Sequence, residues 1–435
     1  MIWIQTKLQI LIKIRVQILF SCLFKCNHNN IGQFTMKHLF LFLFFTTSLL
    51  PQSLFDKIGG ASSKNPEDFY KKASPEAIEL VKRSYAGLDA SKIRDYHTHI
   101  VGIEENKTGA FVHSNMRSIL HPKEYIRFKI YSSALKIKNI NNADAEAVER
   151  LTSLIRNVEN HGKHYLLALD KYYNADGSLN LKKTEFYVPN EYIYKLAKEN
   201  PDVFIPTISI HPYRKDALEE LDKWGKLGIR LIKWLPNSQG IDPSNSQIEA
   251  YYKKMIQYNM ILLTHAGEEK AVDAEEDQKY GNPLLLRYPL SLGVKVIVAH
   301  CASLGTNIDL ESPDKKVADN FDLFMRLMDD PKYKANLFAD ISAVIQFNRD
   351  KKVLETLLTR QDLHTRLVQG SDYPLPAVNI VIRLGRLVEF GFITPDEQKV
   401  LQEIYDYNPL LFEFAVKRTI RWKEKKFSDF IFMEN

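Results

Sequence analysis

Cysteine is almost absent from this chain, which has three in 435 residues. Cys22 and Cys26 lie near the N-terminus, and Cys301 is the only cysteine beyond residue 50. A disulfide within the later part of the chain is therefore excluded, and so is a zinc site built from two cysteine pairs. We interpret Cys301 as a small core residue rather than a nucleophile. A chain of this length can bury a core that needs no disulfide.

Excess charge is also missing from most of the chain. The formal net charge is +6, but residues 1–50 contain five basic residues and no acidic residue, so the remainder carries about +1. This balance predicts no basic face for nucleic acid. The expected partner is a small-molecule substrate, and the oligomeric state is left open.

No uninterrupted apolar stretch has the length of a typical membrane-spanning helix. The apolar run at 39–50 has 12 residues, which is short for a span and fits a signal-peptide core or an N-terminal anchor. We predict a hydrophobic leader over 1–53 and therefore an exported or membrane-anchored protein. Met36 is an alternative start and Ser53 a weak cleavage candidate. The competing interpretation is a cytoplasmic protein with a misassigned leader.

Short apolar strands alternate with helices through the rest of the chain. Eight strands are predicted, at 93–99, 164–170, 203–210, 229–234, 260–265, 294–300, 336–342 and 367–372. Strands rich in Val, Ile and Leu are typical of a parallel sheet covered on both faces. This alternation predicts an α/β fold, a (β/α)8 TIM barrel. A doubly wound open sheet is the alternative, which the lack of a glycine-rich phosphate loop after any strand disfavours.

The helices and domains follow from the same pattern. Helices are predicted at 75–85, 142–160, 192–199, 216–227, 246–258, 283–292, 316–329, 350–358 and 378–389. The domain boundaries are a leader over 1–53, a linker and helix over 54–92, the barrel over 93–420 and a C-terminal tail over 421–435. Residues 102–140 are expected to form a long insertion after strand one, made of loop and short helices. Such long loops are more often functional than idle.

The chain is organised around Ile93–Ile100, a short strand that carries two histidines. Because strand side chains alternate, Asp95, His97 and His99 are expected to share one face. Two imidazoles side by side on a strand can bind one cation. Taken alone, the pair also fits two structural, hydrogen-bonded histidines.

Other ionisable residues stand at the ends of later strands. They are Lys233 on the fourth, His265 on the fifth, His300 on the sixth and Asp372 on the eighth. Each has an ordinary interpretation by itself, such as a salt-bridged lysine or an aspartate that caps a turn. The carboxyl ends of barrel strands converge on the catalytic face, however, and the joint placement favours a functional site.

These residue types suit a metal site. Imidazole and carboxylate bind Zn²⁺ or a similar divalent ion, and three protein ligands leave a position for water. The ion lowers the pKa of that water toward ~7. A neighbouring aspartate can take the proton as a general base, and a further histidine can polarise a carbonyl or protonate a leaving group.

The order of the motifs resembles a known family. The order is Asp-x-His-x-His, the strand-four lysine, Thr264-His265-Ala266-Gly267, Ala299-His300-Cys301 and Gly370-Ser371-Asp372-Tyr373-Pro374. It resembles the amidohydrolase superfamily, in particular the amidohydrolase-related (amidohydrolase 2) group. The stretch 404–412 is similar to that group's closing helix, and the likeness covers roughly 93–420. The resemblance implies a (β/α)8 barrel with one or two divalent metals, usually zinc.

The resemblance also implies roles for individual residues. His97, His99 and His265 would bind metal, and Asp372 would be both a ligand and the general base. His300 would act on the substrate beside a single metal, or bind a second metal. These assignments are carried over by motif alone.

The strand-four lysine and the residues after it bear on whether the site holds one metal or two and on how the pocket is shaped. In two-metal relatives this lysine is carboxylated and bridges the ions, and Lys233 is on the corresponding strand; one-metal relatives keep it unmodified. The group often has a histidine two residues later, where this chain has Leu235. Trp234, Tyr373 and the insertion at 102–140 are expected to shape the pocket instead, unless Trp234 simply packs against a helix.

The predicted reaction is hydrolysis of a C–N or C–O bond in an amide, ester or lactone. A decarboxylase of the same group is the first alternative, and an arginine at the site would favour it. Arg214 and Arg230 lie near strand ends, although alternation directs Arg230 away from Lys233. A phosphoesterase of the polymerase-and-histidinol-phosphatase type does not fit the Gly-Ser-Asp-Tyr-Pro ending. A catalytically inactive barrel used for binding is disfavoured by the intact ligand set.

Overall fold

A computed structural model of the protein describes residues 55, 58–59, 64–103, 107–274 and 276–434. These residues all belong to one compact unit, Pro51–Asn435. The predicted leader over 1–53 lies outside the described residues, so export or membrane attachment stays a prediction. In the part of the chain that is described, no helix has both the length and the apolar character needed to cross a membrane.

Within the described residues, eight parallel strands form the centre of the fold. In chain order they are β1 (Arg94–His99), β2 (Lys163–Leu167), β3 (Phe204–Pro206), β4 (Leu231–Trp234), β5 (Ile261–Thr264), β6 (Lys295–Val298), β7 (Leu337–Asp340) and β8 (Leu367–Val368). Strands β1 to β3 pair in order, as do β4 to β8. Parallel bridges from Ile208 to Ile232 and from Thr98 to Tyr373 join the two sets. The strands therefore close into a parallel α/β barrel.

Helices separate most of the strands. The α-helices are Phe69–Lys72, Pro75–Tyr85, Pro122–Ala134, Ala143–Arg156, Asn190–Glu199, Ala217–Lys226, Pro236–Gln239, Glu249–Gln257, Arg287–Ser291, Asn320–Asp329, Lys351–Thr359, Leu384–Glu389, Pro395–Tyr407 and Pro409–Thr419. Short 3-10 helices are Pro66–Asp68, Ser114–Arg117, Ile140–Asn142, Ser246–Ile248, Gln278–Gly281, Pro283–Leu286, Ala299–Ala302, Pro331–Tyr333, Gln361–Arg366, Leu375–Ala377 and Asp429–Phe432. The described residues also form two small antiparallel sheets, which pair Phe111–Val112 with Phe186–Tyr187 and Thr306–Ile308 with Val317–Asp319.

The interior of the barrel is packed with side chains. Its cluster of buried residues consists of Leu167, Leu231, Leu263, Ile297 and Ala299, with aromatic side chains against it. A filled barrel has no channel, so a small molecule can bind only above this cluster, where the strands end. The large core outside the strands is formed by the apolar faces of the surrounding helices.

Several predicted segments differ from the structure: for example, the helix expected over 316–329 begins at Asn320, after the strand Val317–Asp319, and the strand expected over 367–372 ends at Val368. The helix expected over 378–389 begins only at Leu384, because a 3-10 turn, Leu375–Ala377, and an extended Val378 precede it. The insertion after β1 contains a full helix, Pro122–Ala134, where short helices were expected. Its apolar residues do not form one stripe, so the helical period was not visible in the sequence.

Candidate active site

Six of the ionisable side chains singled out in the sequence line one cavity. They are His97, His99, Lys233, His265, His300 and Asp372. The cavity contains about 760 Å³ of empty space, including its open mouth. The residues come from the ends of β1, β4, β5, β6 and β8, as expected at the catalytic face of a barrel.

Strand β1 brings both of its histidines to the cavity, but not by simple alternation. Its pairing with β2 shifts register between Asp95 and Thr98. His97 and His99 approach each other to 3.1 Å between their Nε2 atoms. Asp95 does not line the cavity; its Oδ1 accepts hydrogen bonds from the backbone N–H groups of His97 (2.9 Å) and Ser371 (3.0 Å). The expectation that Asp95 shares a face with the histidines is therefore wrong.

Three donor atoms form a compact triangle. The Nε2 atoms of His97 and His99 are 3.1 Å apart, and each lies 3.5 Å from Oδ1 of Asp372. Ligand atoms held at about 2.0–2.1 Å from a tetrahedral ion lie about 3.3–3.4 Å from one another. The triangle therefore has the size that one divalent ion needs. Two imidazoles and a carboxylate also form a suitable donor set for zinc and neighbouring metals.

His300 lies on the other side of the Asp372 carboxylate. Its Nε2 is 3.9 Å from Oδ2 of Asp372, and donor atoms of His97, His300 and Asp372 all lie within 4.8 Å of one another. Burial lowers the pKa of both His97 and His300 well below the usual value. Both imidazoles are therefore neutral at physiological pH, the state that binds a metal or accepts a proton.

His265 has one nitrogen that the described part of the chain leaves unpaired. Its Nδ1 lies 3.4 Å from Oε2 of Glu269, while its buried Nε2 has no hydrogen-bond partner. Burial is also the main reason that its pKa is lowered. A buried nitrogen without a partner is costly, and an ion or a bound molecule would satisfy it.

Lys233 is fully buried, and its Nζ lies 3.0 Å from Nε2 of His97. Burial lowers its pKa to about 8. A protonated amine at this distance would repel a cation bound to His97, whereas a neutral or carboxylated lysine would not.

Asp340, at the end of β7, is a residue that the sequence reasoning missed. Its Oδ2 accepts a hydrogen bond from Nδ1 of His97 at 2.8 Å. Its Oδ1 accepts from the backbone N–H groups of His300 (2.9 Å) and Ser342 (3.0 Å). The carboxylate therefore fixes His97 in the tautomer that presents an Nε2 lone pair to the cavity. The available signal was its position near the end of the strand predicted over 336–342.

Glu269 is a second residue that the sequence reasoning missed. Its Oε1 accepts hydrogen bonds from the backbone N–H groups of Ala271 (2.6 Å) and Val272 (3.2 Å), which folds the loop after β5 over the cavity. No strand-end rule could have found it, because it lies within that loop.

The backbone around two of the candidate residues is in the left-handed region. The φ angles of His300, Cys301 and Ala302 are 57°, 51° and 48°, and that of Asp372 is 58°. Non-glycine residues adopt this conformation at a cost, and they do so most often at functional sites. Cys301 is buried in the core, and burial raises its thiol pKa, which agrees with its interpretation as a core residue.

Trp234 and Tyr373 do not line the cavity, so the expectation that they shape the pocket is wrong. Trp234 is fully buried, its indole N–H donates to the carbonyl of Ile210 at 3.1 Å, and its ring packs against Tyr251. Tyr373 is buried in the core cluster next to the insertion. Trp234 follows Lys233 on β4, so strand alternation directs its side chain away from the cavity. Leu235 does line the cavity.

None of the described arginines lines the cavity. Arg214 pairs with Asp170 at 3.1 Å, and Arg230 donates to backbone carbonyls. Arg349 interacts electrostatically with Asp372, but its Nε donates to Ser303. The arginine that would have favoured decarboxylation is therefore missing from the described wall.

Comparison with known proteins identifies similar sequences and structures. The sequence model of the amidohydrolase family matches residues 174–411. An uncharacterised TIM-barrel protein from Bordetella bronchiseptica is 16% identical with a TM-score of 0.45, and the likeness covers 74% of this chain and 99% of that one. 5-Carboxyvanillate decarboxylase from Sphingomonas paucimobilis is 11% identical with a TM-score of 0.40, over 71% and 96%. 4-Oxalomesaconate hydratase from Rhodopseudomonas palustris is 16% identical with a TM-score of 0.39, over 74% and 96%. No curated protein matches the chain.

Proposed function

Because the chain belongs to the amidohydrolase family, whose sequence model matches more than half of it, we propose that it is a metal-dependent hydrolase of a small molecule. The bond cleaved in this proposal is a C–N or C–O bond of an amide, ester or lactone. The observation that supports it most directly is the triangle of His97, His99 and Asp372, with separations of 3.1, 3.5 and 3.5 Å.

In this proposal His97, His99, His265 and Asp372 hold one divalent ion, with zinc as the first choice. When bound, the ion lowers the pKa of a coordinated water and polarises the substrate carbonyl. The unpaired Nε2 of His265 supports its inclusion among the ligands. The neutral state of the buried histidines supports the same assignment, since a protonated imidazole cannot bind a cation.

Asp372 is proposed to be the general base, and His300 to carry the proton onward. Asp372 turns Oδ1 toward the two histidines of β1 and Oδ2 toward His300. Ser342 donates its hydroxyl proton to Asp340, so its Oγ accepts a hydrogen bond from Nδ1 of His300 at 2.7 Å. Nε2 of His300 then carries a lone pair, which can take up a proton and pass it to the leaving group.

The one-metal form is the one proposed. Lys233 needs no added group in this form: burial lowers its pKa to about 8, and a cation on His97, whose Nε2 lies 3.0 Å from the Lys233 Nζ, would favour the deprotonated amine further. A carboxylated Lys233 with His300 on a second ion is the two-metal alternative.

Hydrolysis is favoured over decarboxylation. A decarboxylase must bind a substrate carboxylate, for which arginine provides a bidentate partner. The described residues place no arginine on the cavity wall. The decarboxylase alternative therefore lacks the feature that would have supported it.

The test begins with the metal content of the purified protein and with activity on ester, lactone and amide panels, with and without chelator. We expect bound metal, chelator-sensitive hydrolysis and no release of CO₂. Asp372→Asn should remain folded and lose about 10²- to 10⁴-fold in turnover. Release of CO₂ in place of hydrolysis, or full turnover in Asp372→Asn, would overturn the assignment.

A further inference from the structure

We infer that the substrate is a neutral molecule with an apolar body, and that the body lies against an uncharged wall while a single reactive carbonyl reaches the histidine cluster. The inference rests on the proposed function, because it concerns the same cavity. It goes beyond that function by excluding substrates that carry a charged group on the body.

The cavity is lined by a few ionisable residues and a larger set of apolar ones. Of its 19 lining residues, seven have side chains that readily ionise or bind metal, and we call the six strand-end residues among them the floor. Eleven are apolar; we call them the wall, leaving out Leu167, which belongs to the interior cluster, and Leu169, Phe186, Val188 and Leu235 are examples. A substrate must therefore place its polar reacting group at the floor and apolar surface along the wall.

The remaining lining residue, Tyr131, has no free donor to offer. Its hydroxyl donates to the carbonyl of Ala271 at 2.8 Å, which ties helix Pro122–Ala134 to the loop after β5. Burial raises the pKa of this tyrosine, so the hydroxyl stays uncharged. The roof of the cavity is thus closed by a hydrogen bond that is already satisfied.

The two acidic side chains in the lining also have partners. Glu269 accepts from the backbone N–H groups of Ala271 and Val272 through Oε1 and faces His265 through Oε2. Asp372 faces the histidines. Neither carboxylate is on the wall, so a cationic substrate body would have no counter-charge there.

The single lysine in the described lining lies at the floor. Lys233 Nζ is 3.0 Å from His97 Nε2, and this lysine is fully buried. A carboxylate on the substrate body would therefore lose its water without gaining an ionic partner. An unpaired charge in an apolar site is strongly unfavourable, so acids and amino acids should bind far more weakly than neutral analogues.

The binding test uses two rigid hydroxamic acids, whose head group chelates a metal ion. Zinc-loaded protein is titrated by calorimetry with benzohydroxamic acid and with 4-carboxybenzohydroxamic acid, which differ only in the charge on the ring. We expect the neutral compound to bind at least 100-fold more tightly. Equal binding of the two, tighter binding of the acid, or binding of neither overturns the inference.

A charge added to the wall should shift this preference. Leu169→Arg should reduce the difference between the two compounds at least tenfold, because it supplies a partner for the carboxylate. Leu169→Met, a neutral change of similar size, should leave the difference intact. An unchanged difference in a folded Leu169→Arg variant overturns the inference, and if that variant does not fold, the wild-type titration decides alone.

Turnover distinguishes this inference from the proposed function. Phenyl butyrate and phenyl hemisuccinate have acyl chains of the same length, and the second carries a carboxylate. Hydrolysis of butyrate with at least 100-fold higher kcat/KM supports both proposals. Hydrolysis of hemisuccinate equally well overturns the apolar-body inference and leaves the hydrolase intact. If no ester, lactone or amide is hydrolysed, the proposed function fails, while the hydroxamate titration still decides the inference.

Discussion

Replacing Asp340 by asparagine should weaken metal binding without removing a proposed ligand. The carboxylate accepts hydrogen bonds from Nδ1 of His97 and from the backbone N–H groups of His300 and Ser342. An asparagine amide has one accepting oxygen and one donating nitrogen. If its oxygen stays with the backbone N–H groups, its NH₂ faces His97, which must then carry its proton on Nε2, the atom proposed to bind the ion. If the amide is reversed, the backbone N–H groups lose their acceptor.

Both orientations lead to the same expected magnitude. Loss of a carboxylate that orients a metal-binding histidine typically lowers metal affinity or activity about 10- to 100-fold. That range corresponds to about 1.4–2.7 kcal/mol of binding free energy. We therefore expect Asp340→Asn to raise the Kd for zinc by 10- to 100-fold, measured by competition with a chromogenic chelator.

Asp144→Asn provides a matched control. Asp144 is also fully buried, and its carboxylate accepts from the backbone N–H of Ile103 at 2.6 Å and from the hydroxyl of Thr108 at 2.5 Å. It makes no hydrogen bond to a proposed ligand. Its substitution should lower stability and leave zinc affinity unchanged. Wild-type zinc affinity in a folded Asp340→Asn protein would refute the tautomer argument.

Three further predictions concern stability. Glu413→Gln should lower the free energy of unfolding by about 3–5 kcal/mol in urea, because it removes the counter-ion of the fully buried Lys417, whose Nζ then keeps, among the described residues, only the neutral acceptors Gly370 O and Gln369 Oε1. The double change Glu413→Leu with Lys417→Met should cost much less, and equal costs would contradict this. Burial lowers the pKa of His211 to about 4. Between pH 6.5 and pH 4 the unfolded state therefore binds more protons than the folded state. The stability that the neutral ring contributes above pH 6.5 is lost as the pH falls through this window. His211→Gln should therefore flatten the acid side of the stability curve, and a curve parallel to that of the wild type would refute this. Trp234→Ala should lower the free energy of unfolding by about 3–5 kcal/mol, measured by thermal or urea unfolding. Trp234→Phe should leave the KM for the substrate unchanged, and a shifted KM would mean that the ring contacts the substrate.

The barrel and most of the candidate site were accessible from sequence for a physical reason. Strands covered on both faces must be short apolar runs, so a charged or imidazole side chain at the end of such a run is conspicuous. This is how His265, His300 and Asp372 could be singled out. The rule depends only on local sequence.

What could not be predicted depends on contacts between distant segments. The register shift that moves Asp95 out of the cavity arises from the pairing of β1 with β2. The role of Asp340 depends on a contact with His97, which lies 243 residues away. Trp234 differs from these, because strict alternation after Lys233 already places its ring on the other side of the strand.

Three of the four proposed ligands lie at the place where the barrel closes. His97 and His99 belong to β1 and Asp372 follows β8, and the two strands meet through the Thr98–Tyr373 bridge and bonds such as Asp372 N–H to His97 O at 2.7 Å. An ion bound there would link the first strand of the barrel to the last. By linkage, its binding free energy then adds to the stability of the ring, by about 4 kcal/mol at a thousandfold excess over Kd. Removal of the ion by a chelator would weaken the junction between β1 and β8 first. The backbone amides of His99 and Asp372 should therefore exchange hydrogen with solvent before those on the opposite side of the barrel.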